Sequence, residues 1–351
     1  MIVKSYLHSY EIFYTSGFDF LDELKTVSGK LVIIDKRVYE IYCGILEKFF
    51  DAGSIILIEA LEDKKTIDSA LLICEKALGI SAKRNLTIIA IGGGIIQDIA
   101  AFTANILYRG VNLVLVPTTL LAQGDSCLGS KSSLNFQKSK NILGTFYPPK
   151  MVYICSDFLR TLTDMDFRSG LCEIARFHIM DNLDNIVSVR TQLDKLLSRD
   201  QTATTKLMKA AHTYKKSMVE LDEFDLNQRK IFNYGHTFGH AIEAITNYAI
   251  PHGLAVALGI IMDNSISLSR GILDNATAQS IEEIFIRIYN GGKFSCTDYK
   301  DFINVVKKDK KRSSEGIASV LMSTKGSFAV YQDITEEEVI NALDYIKNLV
   351  K

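Results

Sequence analysis

Proline is scarce, with four in 351 residues, and none of the four builds a linker. Any junction between domains is therefore expected to be compact, near Pro148-Pro149. Net charge is also lacking, because Lys+Arg 40 against Asp+Glu 41 leaves −1. That balance removes the electrostatic reason to expect nucleic acid or an anionic membrane as partner, so any anion site must be a local cluster of basic groups. No apolar run reaches the roughly 18 residues that a membrane-spanning helix needs, since Asp, Lys or Arg interrupts every candidate. The N-terminus, MIVKSYLHSYEIFYTS, has no basic region followed by an apolar stretch, so no signal peptide is expected and the location is read as cytoplasmic. None of the six cysteines forms a C-x-x-C pair. Most sit in apolar runs and read as small buried hydrophobes in a reducing compartment. Internal repeats and low-complexity stretches are absent too.

What remains is a composition of 47% hydrophobic and 23% charged residues, that of a globular protein long enough for two domains. LVIID (31–35), SIILIEA (54–60), LTIIAIGGG (86–94) and NLVLVP (112–117) are short, β-branched apolar runs. Continuous rather than alternating apolarity suggests strands covered on both faces, as in a parallel sheet. Helical patterns lie between them, for example Thr66 to Leu78 with Ile67, Leu71, Leu72 and Ala77 on one side. After about residue 155 long helix-periodic stretches take over, and the clear strand candidates are IASVLM (317–322) and SFAVY (327–331). The expectation is an α/β nucleotide-type domain over 1–155 and a mostly α-helical domain over 156–351.

Ile91-Gly92-Gly93-Gly94-Ile95-Ile96-Gln97-Asp98 follows one strand and opens a predicted helix over 98–107. Glycines there let backbone approach a pyrophosphate, and the helix N-terminus presents free N–H groups. The pattern is not G-x-G-x-x-G, and relief of crowding is the plain alternative. Asp98 reads equally as a helix N-terminal carboxylate. Asp35 ends a strand where a ribose hydroxyl can be accepted, or simply begins a turn. Thr118 and Thr119 end another strand.

Three of the six histidines fall within seventeen residues: His236 and His240 in NYGHTFGH, and His252 in PHG. An i, i+4 pair shares a helix face, and a divalent metal also wants a carboxylate. Glu173, inside SGLCEIARF, is costly to bury unless paired, and so is a candidate. Spacing alone leaves open which two histidines ligate. Basic groups recur in the same stretches: Arg109, Lys131, Lys140 and Arg229, with a run from Lys307 to Arg312 that reads as solvated.

GGGIIQDIAAF, YRG, VPTTLLAQGDSCLGSK, KNILGTFYPPK, SGLCEIAR, RKIFNYGHTFGHAIEA and PHGLAVALG, in this order, resemble the 3-dehydroquinate synthase family of sugar phosphate cyclases. The resemblance implies a Rossmann-like N-terminal domain, a helical metal-binding C-terminal domain and a homodimer. It also implies NAD and Zn2+ (or Co2+) as cofactors. By resemblance Glu173, His236 and His252 match the metal ligands. Asp98, the turn glycines Gly93 and Gly94, and Thr118 and Thr119 match NAD positions; Asp35, Glu62 and Lys65 match the ribose side. Asp125 falls among the cofactor and substrate positions. Lys131, Lys140, Asn141, Lys215, Arg229, Asn233 and His240 match the substrate pocket, and Arg109 matches an arginine that reaches the neighbouring subunit's substrate. Lys310 matches a late lysine. The implied reaction closes a small-molecule sugar phosphate into a carbocycle with loss of phosphate, NAD acting as a recycled catalyst, as in the shikimate route to aromatic amino acids.

Four positions depart from the family pattern: Arg176, itself counted among the catalytic pocket residues, stands for lysine, Gln97 for glycine, Ser130 for glycine and Leu254 for glutamate. The last removes an expected partner of a metal ligand. The Arg229–Asn233 pair implies a carboxylate-bearing substrate, 3-deoxy-D-arabino-heptulosonate 7-phosphate. An amino or otherwise modified analogue is the alternative, and an NAD- and metal-dependent polyol dehydrogenase a more distant one.

Overall fold

The computed structural model describes residues 1–80, 83–137, 139–290, 294, 296, 298–309 and 316–350. Two compact units emerge: Met1–Leu162 with Lys216–Phe224, and Thr163–Lys215 with Asp225–Lys351.

The first unit carries strands β1 (Ile2–Val3), β2 (Tyr10–Thr15), β3 (Lys30–Asp35), β4 (Ile55–Ile58), β5 (Thr87–Gly92), β6 (Asn112–Pro117), β7 (Lys131–Phe136), β8 (Ser139–Phe146) and β9 (Met151–Cys155). Its helices are α1 (Phe20–Thr26), α2 (Lys36–Leu46), α3 (Ile67–Leu78) and α4 (Gly94–Ile106). One sheet has the order β1-β2-β9-β6-β5-β3-β4. All its pairings are parallel except β1 with β2. Val32, Ile34, Ile89, Ile91, Val114 and Val116 form a core cluster with Phe20, Leu24 and Phe158. Burying each such Val or Ile side chain contributes about 1.5–3 kcal/mol, which explains the unbroken apolar runs. The chain steps outward from β3 to β4 and returns to β5 on the other side of β3. That reversal is a topological switch point, where open α/β sheets bind ligands beyond the carboxyl ends of their strands. Asp35 and Gly92 stand at those two ends.

The expected helix near residue 70 forms, but its buried stripe is Ala70, Ile73 and Ala77. Leu71 and Leu72, grouped above on one side with Ile67 and Ala77, are 48% and 43% exposed. That stripe packs on α4 and β7, which leaves the leucines outside. The hairpin β7–β8 was not picked out as strands, since Ser, Lys and Asn interrupt its few apolar residues.

The second unit contains α5 (Asp164–Asp181), α6 (Asn185–Leu197), most of α7 (Gln201–Leu221), α8 (His236–Ile245), α9 (His252–Ser269), α10 (Asn275–Tyr289), α11 (Tyr299–Asp309) and α12 (Glu336–Leu349). A ribbon of β10 (Ile317–Met322) and β11 (Phe328–Ile334) completes it. Side-chain caps fix several helix starts: Thr163 accepts from Asp166 N, Asp274 from Thr277 N, and Thr335 with Glu338 forms a capping box. α9 is buried without a break from Gly253 to Asn264, as expected of a helix enclosed by others; α5, α8, α10 and α12 pack on it. Among the described residues, no helix is long and apolar enough to cross a membrane.

Candidate active site

In the second unit, α5, α8 and α9 meet through backbone rather than side chains. A Cβ on Gly253 would fall 1.9 Å from the Ser169 carbonyl oxygen, and one on Gly259 would fall 2.0 Å from that of Gly235. Only glycine permits such approaches. Gly253 N also donates to Ser169 Oγ at 2.9 Å. Ser169 lies one helical turn before Glu173 and Gly253 directly follows His252, so this contact brings carboxylate and imidazole together. Gly235, at φ 81°, turns the chain into α8 immediately before His236.

Glu173 Oε1 consequently lies 3.7 Å from His236 Nε2 and 3.7 Å from His252 Nε2. Atoms bound about 2.0–2.2 Å from a tetrahedral divalent ion stand roughly 3.4 Å apart, so the spacing suits such an ion. Glu173 is fully buried, and Oε1 has no hydrogen-bond partner. An orphaned buried carboxylate oxygen facing two imidazole nitrogens is the donor set that a zinc-like ion satisfies.

The protonation pattern agrees. His236 Nδ1 is 3.2 Å from the Tyr234 carbonyl oxygen, which can only accept, so Nδ1 holds the proton and Nε2 the lone pair. Burial, then the Arg176 guanidinium and the other two imidazoles, hold His236 well below the usual imidazole range. His252 Nδ1 lies 2.9 Å from Glu243 Oε2, which likewise leaves Nε2 to face Glu173. The expected loss of a supporting carboxylate at Leu254 is therefore corrected: Glu243, on α8, stands on that nitrogen, and Leu254 is buried in the core. His240 is exposed, its ring centroid 5.5 Å from His236 and 5.7 Å from His252. His240, Glu243 and His252 also have donor atoms within 4.8 Å of one another, but Glu243 already serves His252 there.

The other proposed positions of this unit scatter around that centre. Arg176 is 2% exposed. Its Nε and Nη2 both donate to Glu173 Oε2, at 2.8 and 2.5 Å, and Nη1 donates to the Phe232 carbonyl at 2.8 Å. Lys215 is buried, with its ammonium 5.3 Å from the Phe177 ring centroid. Arg229 is buried in the 3₁₀ segment Gln228–Asn233, and Asn233 is exposed, donating to the Lys230 carbonyl. Lys310 lies outside the described residues.

In the first unit, Asp98 is the fifth residue of α4, because the helix begins at Gly94 rather than at 98. Its Oδ2 is 2.5 Å from Lys65 Nζ, and its Oδ1 accepts from Ser133 N at 3.1 Å. Lys65 also donates to Asn141 Oδ1 at 2.8 Å. Asn141 N donates to Asn135 Oδ1, whose amide donates to Glu62, and Lys140 Nζ is 3.4 Å from Glu62. Asp98, Lys65, Asn141, Glu62 and Lys140 thus form one polar network across α4 and the β7–β8 hairpin. Burial raises the Asp98 carboxyl, and Lys65 opposes that shift. Lys131, at the start of β7, is exposed.

At the sheet's carboxyl ends, Asp35 Oδ1 accepts from Arg37 N and caps α2. A Cβ on Gly92 would meet Ile96 at 2.6 Å, and one on Gly93 would meet Thr119 at 3.1 Å, whereas Gly94 has ordinary room. Crowding by itself accounts for the first glycine. Thr119 Oγ1 accepts from Ala122 N. Thr118 Oγ1, by contrast, is buried with no partner at the strand end, as a hydroxyl awaiting a ligand would be. Asp125 sits in a single π-helical turn, Ala122–Ser126, pinned by Gln123 donating to the Pro117 and Cys155 carbonyls. Gln97 is buried, accepts from Ser126 Oγ at 2.7 Å, and leaves its Nε2 unpartnered. Arg109 is exposed beside an open cleft of about 450 Å³ lined also by Lys83, Arg84, Asn85 and Tyr108.

Asp263 and Glu243 were not singled out from the sequence. Asp263 is fully buried in α9 and accepts from Gly235 N at 2.8 Å and Ser319 Oγ at 2.7 Å, fixing the turn that carries His236. The signal for it was available: an acid inside the apolar run ALGIIMDNSI poses the same burial problem as Glu173. Glu243 sits in AIEAI, where an i, i+3 partner of His240 is easily taken for a surface charge.

The family profile described as 3-dehydroquinate synthase N-terminal matches residues 55–169, and that described as 3-dehydroquinate synthase C-terminal matches 170–312. The 3-dehydroquinate synthase of Caldanaerobacter subterraneus subsp. tengcongensis is 35% identical, over 98% of this chain and 99% of its own length. A solved 2-deoxy-scyllo-inosose synthase, complexed with carbaglucose-6-phosphate, NAD+ and Co2+, has a TM-score of 0.86 at 22% identity, covering 100% of this chain and 98% of that one. ValA, a 2-epi-5-epi-valiolone synthase from Streptomyces hygroscopicus subsp. jinggangensis with NAD+ and Zn2+ bound, has a TM-score of 0.85 at 22% identity, with 97% of both chains covered. The two solved structures share the fold seen here. With both profiles tiling the chain around the Glu173–His236–His252 cluster, the protein belongs to the 3-dehydroquinate synthase family.

Proposed function

We propose that this chain is an NAD- and metal-dependent carbon–oxygen lyase that converts 3-deoxy-D-arabino-heptulosonate 7-phosphate into 3-dehydroquinate and phosphate. The observation that carries the reading is the orphaned Glu173 Oε1, 3.7 Å from each of two imidazole Nε2 atoms. A Zn2+ or Co2+ ion held there, with NAD at the switch point of the sheet, is supported by the same cofactors in the two solved relatives.

When bound, NAD takes up and returns a hydride at one substrate carbon, and the ion polarises the adjoining oxygen. The chain's own groups do the rest. Glu173, His236 and His252 hold the ion, with both ring protons kept on Nδ1. Asp35, Glu62, Lys65, Gly93, Gly94, Asp98, Thr118, Thr119 and Asp125 hold the dinucleotide; Thr118 supplies an unsatisfied hydroxyl for it. Arg229 forks onto the substrate carboxylate, a planar match that lysine does not reproduce, with Asn233 four residues on in the same segment. Lys131, Asn141, His240 and Arg109 balance the phosphate, while Lys140, Lys215 and Lys310 add cations. Exposure of Arg109 supports its reaching a neighbouring copy, and a homodimer in the cytoplasm is part of the proposal, as is a place in aromatic amino acid biosynthesis.

The alternative of a modified substrate drew on Arg176, Gln97 and Leu254. Two of those three now have local accounts, since Arg176 engages Glu173 and Glu243 supports His252. The test is incubation with the heptulosonate phosphate, NAD+ and Zn2+, following inorganic phosphate and the cyclic product together. Turnover yields both in equal amounts without accumulation of NADH. Phosphate release only from an amino analogue, or net NADH from a simple alcohol, overturns the assignment.

A further inference from the structure

Arg176, expected from the sequence among the pocket residues that meet substrate, instead spends its guanidinium on Glu173 of the candidate metal centre. Its guanidinium donates twice to one oxygen of Glu173 and to none of the other. The same group donates to the Phe232 carbonyl and lies 4.1 Å from the Phe177 ring centroid, so it is fixed on three sides. Side-chain exposure is 2% for Arg176 and 0% for Glu173, which leaves neither room to turn away. A free carboxylate beside a divalent ion can bind through one oxygen or both; here Oε2 is occupied and Oε1 alone faces the imidazoles.

We infer that Arg176 is a positioning residue that makes Glu173 a one-oxygen ligand, keeping the coordination number of the ion low and a position open for substrate. This rests on the metal reading given above. It also has an electrostatic side. Arg176 cancels the charge of Glu173, and with two neutral imidazoles the ligand set sums to zero, so the ion keeps its full charge toward a substrate oxygen. Lysine, the residue the family pattern has at this position, is a point donor. It cannot hold Oε2 through a two-pronged fork and reach the Phe232 carbonyl at once.

The test loads the full-length metal-free protein with Co2+ and records the visible absorption per bound ion, whose intensity falls as coordination number rises. The unaltered protein is expected to give the intense spectrum of a low-coordinate ion. R176Q, which frees Oε2 to chelate, is expected to lose that intensity several-fold, and R176K to lose part of it. Thermal scans confirm that each variant is folded. Should R176Q not fold, the R176K spectrum and a metal-loaded crystal structure of the unaltered protein decide. In that structure Oε1 lies about 2.0–2.2 Å from the ion and Oε2 beyond contact. Unchanged intensity in the folded variants, or both oxygens on the ion in the unaltered protein, overturns the inference. Failure of the unaltered protein to bind Co2+ at all instead overturns the metal reading, and the inference with it.

Discussion

Glu243 and His252 lie on successive helices, and the carboxylate of one meets the ring nitrogen of the other at 2.9 Å. That nitrogen is the one turned away from Glu173, so the contact sets both the tautomer and the tilt of the ring.

Replacing this carboxylate should therefore weaken ion binding without touching a ligand. Glu243→Ala is expected to lower Zn2+ affinity by about 10–100-fold, read by competition with a chromophoric chelator. Affinity equal to that of the unaltered protein would show that the ring is held by packing alone.

Gly253→Ala tests the backbone contact between α5 and α9. The added methyl would sit 1.9 Å from the Ser169 carbonyl oxygen, and overpacking of this kind costs about 1–3 kcal/mol or more. A lower midpoint in denaturant together with weaker Zn2+ binding is expected, because the clash separates His252 from Glu173. Loss of stability with intact ion binding would contradict the coupling.

Lys65→Met removes the counter-charge of Asp98. Burial already raises that carboxyl and Lys65 opposes the shift, so its removal raises the carboxyl further. A carboxyl raised in the folded state favours folding below its unfolded value of 3.8 and loses that advantage as pH rises through the folded value. The variant should thus be less stable than the parent at neutral pH and recover toward it in acid. Urea midpoints across the pH range provide the check; a constant difference between the two proteins would discount Asp98.

Glu338 behaves in the opposite sense. Hydrogen bonding by Arg270 pulls its carboxyl from 4.5 down to about 2. A depressed carboxyl stabilises fully above its unfolded value and loses that effect as pH falls from about 4.5 through about 2. Glu338→Gln keeps an amide oxygen for the capping box of α12 but loses the charge opposite Arg270, and should cost about 1 kcal/mol at neutral pH. The gap between variant and parent should close across that acid window in thermal scans, and a gap that persists at the acid end would assign the effect to something other than charge.

The central strands were legible because strands buried on both faces need unbroken Val, Ile and Leu, and β6 was bounded to the residue. The edge strand β1 and the β7–β8 hairpin gave weaker patterns, because polar residues suffice where one face meets solvent; β2 and β9 lie inside the sheet and were not picked out, although β9 is the apolar run MVYIC. Grouping Leu71 and Leu72 with Ala77 on one side does not match the buried stripe Ala70, Ile73 and Ala77, because periodicity identifies a helix but not which of its residues face a neighbour. At the candidate site, Glu173 was readable from the cost of burying it. Its i, i+3 tie to Arg176 on the same helix was within reach of the spacing but was not drawn, whereas the tie of His252 to Glu243 joins two helices and exists only once they are packed.

Both imidazoles of the cluster are referenced to α9. His252 occupies its first turn, while the turn bearing His236 is tied to Asp263 and crosses Gly259 further along the same rod. A small slide or tilt of that rod would carry the two nitrogen donors together and leave their mutual spacing nearly constant. Glu173 stands on α5, which is joined to the same rod where Ser169 meets Gly253, so the oxygen donor takes its position from that rod as well.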